Sequence, residues 1–509
     1  MKSSLSNIKK LLVPLFFVAI ITIVYALVFT LSEFADSPYS SMKDFLELAF
    51  QWTAIAVGTF GLLYLLSINK YVFAVTFPLL VVFSTVLAYY RYTVNATFTP
   101  MTIELALIND LRTNMQVVSL QLVGLMFSTL AMSIAIVWIR WKKVTFTRPF
   151  IHLIVAVGII FMTNSLIPQL KRPLTQRMPY SIYYTFKTYF EIREVAEEYR
   201  RTFISESVAN SDSLVVVFVV GESLRSDHLQ VNGYERETTP YLAKESNLVM
   251  LDNIYSEPCF THTSVPHIMT RADSLDSQKA YYEESFVSIF NDAGFRTTWI
   301  ANQESVSTYA YFMNECDTLI YVNGSKSVYT FDKWLDEDIL PHLENELQYE
   351  NSNQLHILHS IGSHWWYNSH YTDEFEVYTP VIESRVVSSN TQEEMINSYD
   401  NTILYTDFFL KNTIDLIRDK SSILIFLSDH GESLGEDGYY LHGTDRPELH
   451  HPAAFVWYSD KYAQSYPELI ENLKKNSEKR YRSDYLFHSI IDAADITTEY
   501  KDPQLSIFR

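Results

Sequence analysis

Three apolar runs in this sequence stop on residue types that hold metal ions. "VVVFVVGES" puts Glu222 directly after Val215–Gly221, and "ILIFLSDHGES" puts Asp429 and His430 after Ile423–Ser428. "LHILHSIGSH" leads to His364, while "CFTHTSVPHIMTRA" carries Thr261, His262, Thr263 and His267, and "GYYLHGT" carries His442. Carboxylate and imidazole together form a zinc-type ligand set that Mn2+ also accepts, with Zn2+ the expected ion. Glu222, Asp429 and His430 as three protein ligands leave a fourth position open, which is the pattern of a catalytic rather than a structural site. A hydroxyl nucleophile is weak at neutral pH and gains from a nearby cation. Thr261, Thr263 and Ser264 all qualify from one short segment, and spacing does not choose among them.

Each residue also has a plainer reading. Glu222 could cap a helix, Asp429–His430 could form a polar turn, His364 before Trp365–Trp366 could pack in an aromatic cluster, and His442 could bond a carbonyl. His228, His450, His451 and His488 read as structural or surface groups, and Tyr399–Asp400–Asn401 as structural members of a helix.

The elements that must position these groups are strands alternating with helices. "SLVVVFVV", "LVMLDNIYS", "FRTTWIAN", "QLHILHSIGSH", "SILIFLSDH" and "AAFVWYS" read as strands. Residues 393–418 place Ile396, Tyr399, Ile403, Leu410, Ile414 and Ile417 near helical spacing. Such alternation predicts an α/β domain with a largely parallel sheet, whose ligands bind beyond the carboxyl ends of the strands. With 13 Gly in the chain and no G-x-G-x-x-G, a dinucleotide site is not expected.

The first third is different. Apolar stretches at 11–32, 47–67, 71–90, 115–139 and 149–170 each approach the ~20 residues that span a bilayer as a helix. Lys2, Lys9, Lys10, Lys70, Arg140, Lys142, Lys143 and Arg148 fall on one side, against Lys43, Arg91 and Arg112 on the other. This asymmetry predicts a cytoplasmic N-terminus and, after five spans, a soluble part on the far side. "RMPYSIYYTFKTYFEIREVAEEYR" is aromatic and then charged, as expected of a helix at the membrane–water boundary. The predicted organisation is a five-helix transmembrane domain over 1–172, an interfacial helix and linker over 173–212, and a catalytic domain over 213–509. A net charge of −20 argues against nucleic acid as a partner. The two cysteines, Cys259 and Cys316, are too few for a disulfide framework and have no metal-type spacing, though they could pair in an oxidising compartment.

"VVGESLRSDHLQVNGYERETTP", "SVPHIMTRA", "SYDNTILYTDFFL" and "LSDHGESLGEDGYYLHG" resemble the motifs of the phosphoethanolamine transferases that modify lipid A and related surface glycolipids, a family that includes the mobile colistin-resistance enzymes. With the five spans, the resemblance covers nearly the whole chain. It implies an alkaline-phosphatase/sulfatase fold for the C-terminal domain and a place in the bacterial inner membrane with that domain in the periplasm. It also implies zinc-dependent transfer of phosphoethanolamine from phosphatidylethanolamine to lipid A or a related glycan, through a phospho-threonine. Reduced binding of polymyxins is a consequence such a modification would carry. On this sequence the resemblance makes Glu222, Asp429 and His430 zinc ligands and Thr261 both a ligand and the nucleophile, counting five residues back from Pro266. Counting forward from Cys259 gives Thr263 instead, and the Ser-Val-Pro turn favours Thr261. His364 and His442 match the family's substrate-side histidines, where a second metal has room, and Asn232 belongs to the matched signature after the first strand. The family often has several disulfides in this domain, whereas this chain can form at most one. A phosphoglycerol transferase or a metal-dependent phosphodiesterase of the same superfamily would share these features. A sulfatase activity would need a C/S-x-P-x-R segment, which "CFTHT" is not.

Overall fold

The computed structural model describes every residue except 1, 35–36, 95, 109–117, 166–170, 198, 305, 328–330 and 350–351. The chain divides into two compact units. One comprises residues 1–189 with 325–331 and 383–389, the other 190–324 with 332–382 and 390–509.

The first unit is helical: α1 (Lys2–Tyr25), α2 (Met42–Ile68), α3 (Lys70–Val94), α4 (Pro100–Ile108), α5 (Leu120–Lys143) and α6 (Pro149–Ser165), followed by α7 (Tyr180–Ala196), which runs into the second unit. Among the described residues four helices are long and apolar enough to cross a membrane: Leu12–Glu33, Met42–Ile68, Lys70–Thr93 and Leu120–Lys143. The fifth predicted stretch forms a shorter apolar helix, and its residues 166–170, like 115–117 of the fourth, lie outside the described residues. α2 starts where Ser41 and Asp44 cap each other's backbone N–H groups. It ends on carbonyls that the buried Arg140 of α5 satisfies, donating to Ser67 O at 2.8 Å and Ile68 O at 3.1 Å. A buried guanidinium is tolerated there because each of its three nitrogens finds a carbonyl at a helix end, Nη1 that of Val144.

The second unit is built on a seven-stranded sheet. Its strands are β1 (Leu214–Gly221), β2 (Leu248–Met250), β3 (Arg296–Ala301), β4 (Thr318–Tyr321), β5 (Gln354–His359), β6 (Ser421–Ser428) and β7 (Ala454–Tyr458). They lie in the order β2-β7-β6-β1-β5-β3-β4. β1 pairs in parallel with both β6 and β5, and β3 in parallel with β5 and β4. β7 runs antiparallel to β6 and β2, so the sheet is mixed rather than uniformly parallel. β1 is buried along its whole length, which is why it reads as an unbroken apolar run with no alternation. Val216, Phe218, Ile425, Val456, Phe286 and Phe487 share the core cluster around it, each contributing about 1.5–3 kcal/mol by burial.

Register decides what the strand ends do. Gly221 pairs with Ser428, and the ladder continues one step further, Asp429 N–H donating to Gly221 O at 3.0 Å. A Cβ on Gly221 would lie 2.5 Å from the Phe426 ring, so a bare backbone suits this crossing. Val220 pairs with His359 on the other side. The carboxyl ends of β1, β5 and β6 therefore finish level. The long helix α9 (Gln392–Ile417) begins at a Thr391/Glu394 capping box, within one residue of the predicted bounds. The short helix α8 (Thr261–Met269) follows Phe260, whose extended backbone forms its N-terminal boundary.

Candidate active site

Glu222, Asp429 and His430 meet at the level strand ends, each at most 1% exposed, with one ligand atom from each within 4.8 Å of the others. His430 Nε2 lies 3.3 Å from Asp429 Oδ2 and 3.8 Å from Glu222 Oε1. The other ring nitrogen, Nδ1, is 2.6 Å from Gly431 O. A carbonyl only accepts, so Nδ1 carries the hydrogen and Nε2 turns a lone pair toward the carboxylates. Asp429 is divided in the same way. Its Oδ1 accepts from the backbone N–H groups of Ser223 (3.0 Å) and His430 (2.8 Å), while the buried Oδ2 has no hydrogen-bond partner. Burial, with Asp429 beside it, pushes the Glu222 carboxyl well above its ordinary range. Burial lowers the His430 imidazole, keeping it neutral. Two facing carboxylate groups, an orphaned oxygen and a bare imidazole nitrogen lack one thing, a positive charge among them. This donor set fits a divalent ion of the zinc class.

Of the candidate nucleophiles, Thr261 comes to this cluster. Its hydroxyl donates to Glu222 Oε2 at 3.2 Å and lies 3.3 Å from His430 Nε2. It is the first residue of α8, so negative charge on or near Oγ1 would sit at the positive end of that helix. Thr263 instead turns its hydroxyl back to Phe260 O at 2.9 Å, and Ser264 bonds Pro258 O at 3.0 Å. His262 is exposed and stacks on Phe260.

His442 reaches the same place, its ring centroid 4.6 Å from that of His430. Its Nδ1 is 3.3 Å from Oε1 of Glu432, a carboxylate with no exposed surface. Burial opposes charge on this imidazole, but Glu432, aided by Glu222 and Asp429, outweighs it and holds the group up at about 9. His364 sits on the loop after β5. That loop is tied to Glu222 because Ser363 N–H donates to Glu222 O at 3.0 Å, and the His364 ring itself contacts Trp365 O and the edge of His370. Asn232 is not brought to the cluster by its hydrogen bonds. Its amide donates to Ser226 O and Oγ, holding the turn after β1.

The rest of the signature after β1 also holds structure. Tyr234 and Arg236 both reach Asp400 Oδ2 on α9, and His228 Nδ1 reaches Asp400 Oδ1 at 2.8 Å. Neighbouring Tyr399 accepts from Arg225 N–H and donates to Ser223 O. Several contributors escape sequence reading. Gln303 donates to Glu222 Oε2 at 3.0 Å, Ser223 to Glu222 Oε1 at 2.8 Å, and Tyr367 to Glu432 Oε2 at 3.3 Å. Only Ser223 carries a local signal, its place beside Glu222. Gly362, at φ +47°, lies against Glu222, where a Cβ would come within 2.9 Å of its carbonyl oxygen.

A sheet whose level strand ends gather two carboxylates, an imidazole and the hydroxyl of a helix's first residue defines an α/β domain with a candidate metal centre beyond its strand ends. The chain belongs to the sulfatase family, whose sequence pattern matches residues 215–496. It is similar to the Kdo(2)-lipid A phosphoethanolamine 7''-transferase of Salmonella typhimurium, at 33% identity over 289 residues, 55% of this chain and 50% of that protein. The chain spans about half the length of the curated relatives it matches. Among solved structures it resembles the C-terminal periplasmic domain of phosphoethanolamine transferase EptC from Campylobacter jejuni (27% identity, TM-score 0.54, 61% of this chain and 98% of that one). It also shares the fold of the integral membrane protein EptA from Neisseria meningitidis (21% identity, TM-score 0.54, 96% of this chain and 97% of that one).

Proposed function

We propose that this chain is a phosphoethanolamine transferase of the bacterial inner membrane, taking the group from phosphatidylethanolamine and passing it to lipid A or a related surface glycolipid. The observation that carries this reading is the Thr261 hydroxyl, 3.2 Å from Glu222 and 3.3 Å from His430 at the start of α8. Glu222, Asp429, His430 and Thr261 would hold one zinc ion. When bound, such an ion lowers the pKa of a hydroxyl and neutralises phosphoryl oxygens.

The chain's own residues then divide the work. Thr261 Oγ1 gives its proton to the Glu222 carboxylate it already bonds and attacks phosphorus, the bond to diacylglycerol breaks, and phosphoethanolamine remains on the threonine until the acceptor oxygen attacks phosphorus and Oγ1 leaves with that proton restored. His442, kept protonated by Glu432, gives its Nε2 proton to the departing oxygen and takes one from the acceptor hydroxyl or phosphate in the second step. The first turn of α8 favours the phosphoryl charge throughout. His364, on the loop fastened to Glu222, belongs to the substrate side.

Both substrates are lipids, which gives the apolar helices a purpose. In this reading they anchor residues 1–172 with a cytoplasmic N-terminus, Pro149–Ser165 begins a fifth span, 173–212 lies along the outer face, and 213–509 acts in the periplasm. Tethering raises the effective concentration of both lipids at the site.

The test is mass spectrometry of lipid A and total glycolipids from Gram-negative cells expressing the full chain, Thr261→Ala or Thr263→Ala. A phosphoethanolamine-sized addition that disappears with Thr261→Ala and persists with Thr263→Ala is expected. Loss with Thr263→Ala alone overturns the nucleophile, and a phosphoglycerol-sized addition overturns the donor.

A further inference from the structure

We propose that Cys259, Asp445 and His450 form a separate transition-metal site, of the zinc class, that staples the segment carrying Thr261. The reading does not depend on the chemistry assigned to Thr261. His450, which the sequence suggests is a structural or surface residue, is held from three sides. Ser256 N–H donates to His450 O at 3.0 Å, His450 Nδ1 lies 2.6 Å from Ser256 O, and the Tyr255 ring stacks on the imidazole at 5.2 Å and 11°. Since a carbonyl only accepts, Nδ1 bears the hydrogen, which turns Nε2 toward Asp445. Backbone-oriented imidazoles of this kind are the usual partners of a metal ion.

His450 Nε2 faces Asp445 Oδ1 at 2.6 Å. An imidazole nitrogen and a carboxylate oxygen meet at that distance only with a proton or a metal ion between them. Cys259 Sγ lies 3.9 Å from the same oxygen, and the three ligand atoms are all within 4.8 Å of one another. A proton on His450 would satisfy the imidazole–carboxylate pair and leave the buried thiol a long S–H donation to the same oxygen at 3.9 Å. A cation serves all three groups, and thiolate with imidazole selects zinc over hard cations. Tetrahedral zinc separates its nitrogen and oxygen ligands by about 3.3 Å and its sulfur and nitrogen ligands by about 3.5 Å. Asp445 must therefore withdraw by less than about 1 Å, which its side chain, 73% exposed, is placed to do. Three protein ligands leave one position for water.

The location gives the site a role. Cys259 stands two residues before Thr261, while Asp445 and His450 lie in the stretch between His442 and β7. An ion here would tie the nucleophile's segment to the segment of the His442 imidazole, with neither cysteine engaged in a disulfide. It would act by positioning, since none of its ligands is a member of the Glu222 cluster.

Cobalt tests this directly, because Co2+ occupies zinc sites and only a thiolate ligand adds a near-ultraviolet charge-transfer band. The full chain in detergent is reduced, stripped with a chelator and titrated with Co2+. The expected result is a band saturating at one thiolate-bound cobalt per chain, displaced by Zn2+ and unchanged in Glu222→Gln. Cys259→Ser should abolish it, and His450→Gln should weaken cobalt affinity by about tenfold or more. Asp445→Asn, at a side chain that is 73% exposed, should weaken it likewise. No band at saturating cobalt overturns the proposal, as does a band that survives Cys259→Ser or vanishes in Glu222→Gln. The glycolipid result with Thr261→Ala bears on the transferase reading alone.

Discussion

Tyr399→Phe isolates the device that aims two of the cluster's carboxylates. The Tyr399 hydroxyl has no contact with the cluster. It accepts from Arg225 N–H at 2.9 Å and donates to Ser223 O at 2.6 Å, clamping the backbone on both sides of Leu224. Ser223 in turn donates its N–H to Asp429 Oδ1 and its hydroxyl to Glu222 Oε1, from a left-handed conformation at φ 57°. Phenylalanine keeps the ring, so its packing against Tyr367 and His228 survives. What it removes is the partner of one buried N–H and one buried carbonyl. At about 1–2 kcal/mol for each group left unpaired, the loss is about 2–4 kcal/mol of stability. The strained Ser223 turn should relax with it, loosening both carboxylates and weakening divalent-metal affinity by about 10–100-fold. Thermal unfolding of the purified chain and a chelator competition for Zn2+ measure the two effects. If Tyr399→Phe melts like the wild type and holds Zn2+ equally well, the clamp does not set the geometry of the site.

Three further outcomes follow from the same structure. Gly362→Ala places a Cβ 2.9 Å from Glu222 O at φ +47°, and should cost about 1–3 kcal/mol in thermal unfolding and lower transfer activity, while substitution of the open Gly443 should do neither. His356 is fully buried and His370 nearly so, and burial depresses their imidazoles to about 3 and about 4. A depressed base is neutral in the folded chain and takes up a proton on unfolding below its ordinary value near 6.5, so its stabilising contribution is present above that pH and is lost as pH falls toward the folded value. Together they should remove about 4 kcal/mol between about pH 7.5 and pH 5, read as the difference between the unfolding profiles of the chain and of its His356→Asn/His370→Asn variant, since Glu315 and Asp407, raised by burial to about 8 and about 7, act in the opposite direction, and parallel profiles would refute it. Glu432→Gln removes the charge that outweighs burial at His442, so the pH at which His442 loses its proton should fall from about 9, measurable by NMR of the imidazole in metal-free protein, and an unmoved value would remove Glu432 as the cause.

Much of the site was legible because its signals are local. Glu222 and Asp429–His430 each follow an apolar strand without a gap, and a charge at such a place has to meet a partner. The parallel register of β1 with β6 then brings them level. Strand identity was equally readable, except for β4. Its four residues, Thr318–Tyr321, are all only partly buried at the sheet edge, so they carry too little apolar contrast to stand out. The direction of β7 was not readable, since an apolar run looks the same whichever way the chain enters the sheet.

The sequence alone determined the candidate ligand types, the strands that end on them, the apolar stretches of the first third and the narrow choice between Thr261 and Thr263. Only the tertiary structure brings Thr261 rather than Thr263 to the cluster, because helix α8 turns one hydroxyl outward and returns the other to its own backbone. It likewise recruits Gln303, Tyr399, Glu432 and the Cys259–Asp445–His450 group. Hydrogen bonds between segments that lie far apart in the chain leave no periodicity and no spacing in sequence, so packing alone makes them visible.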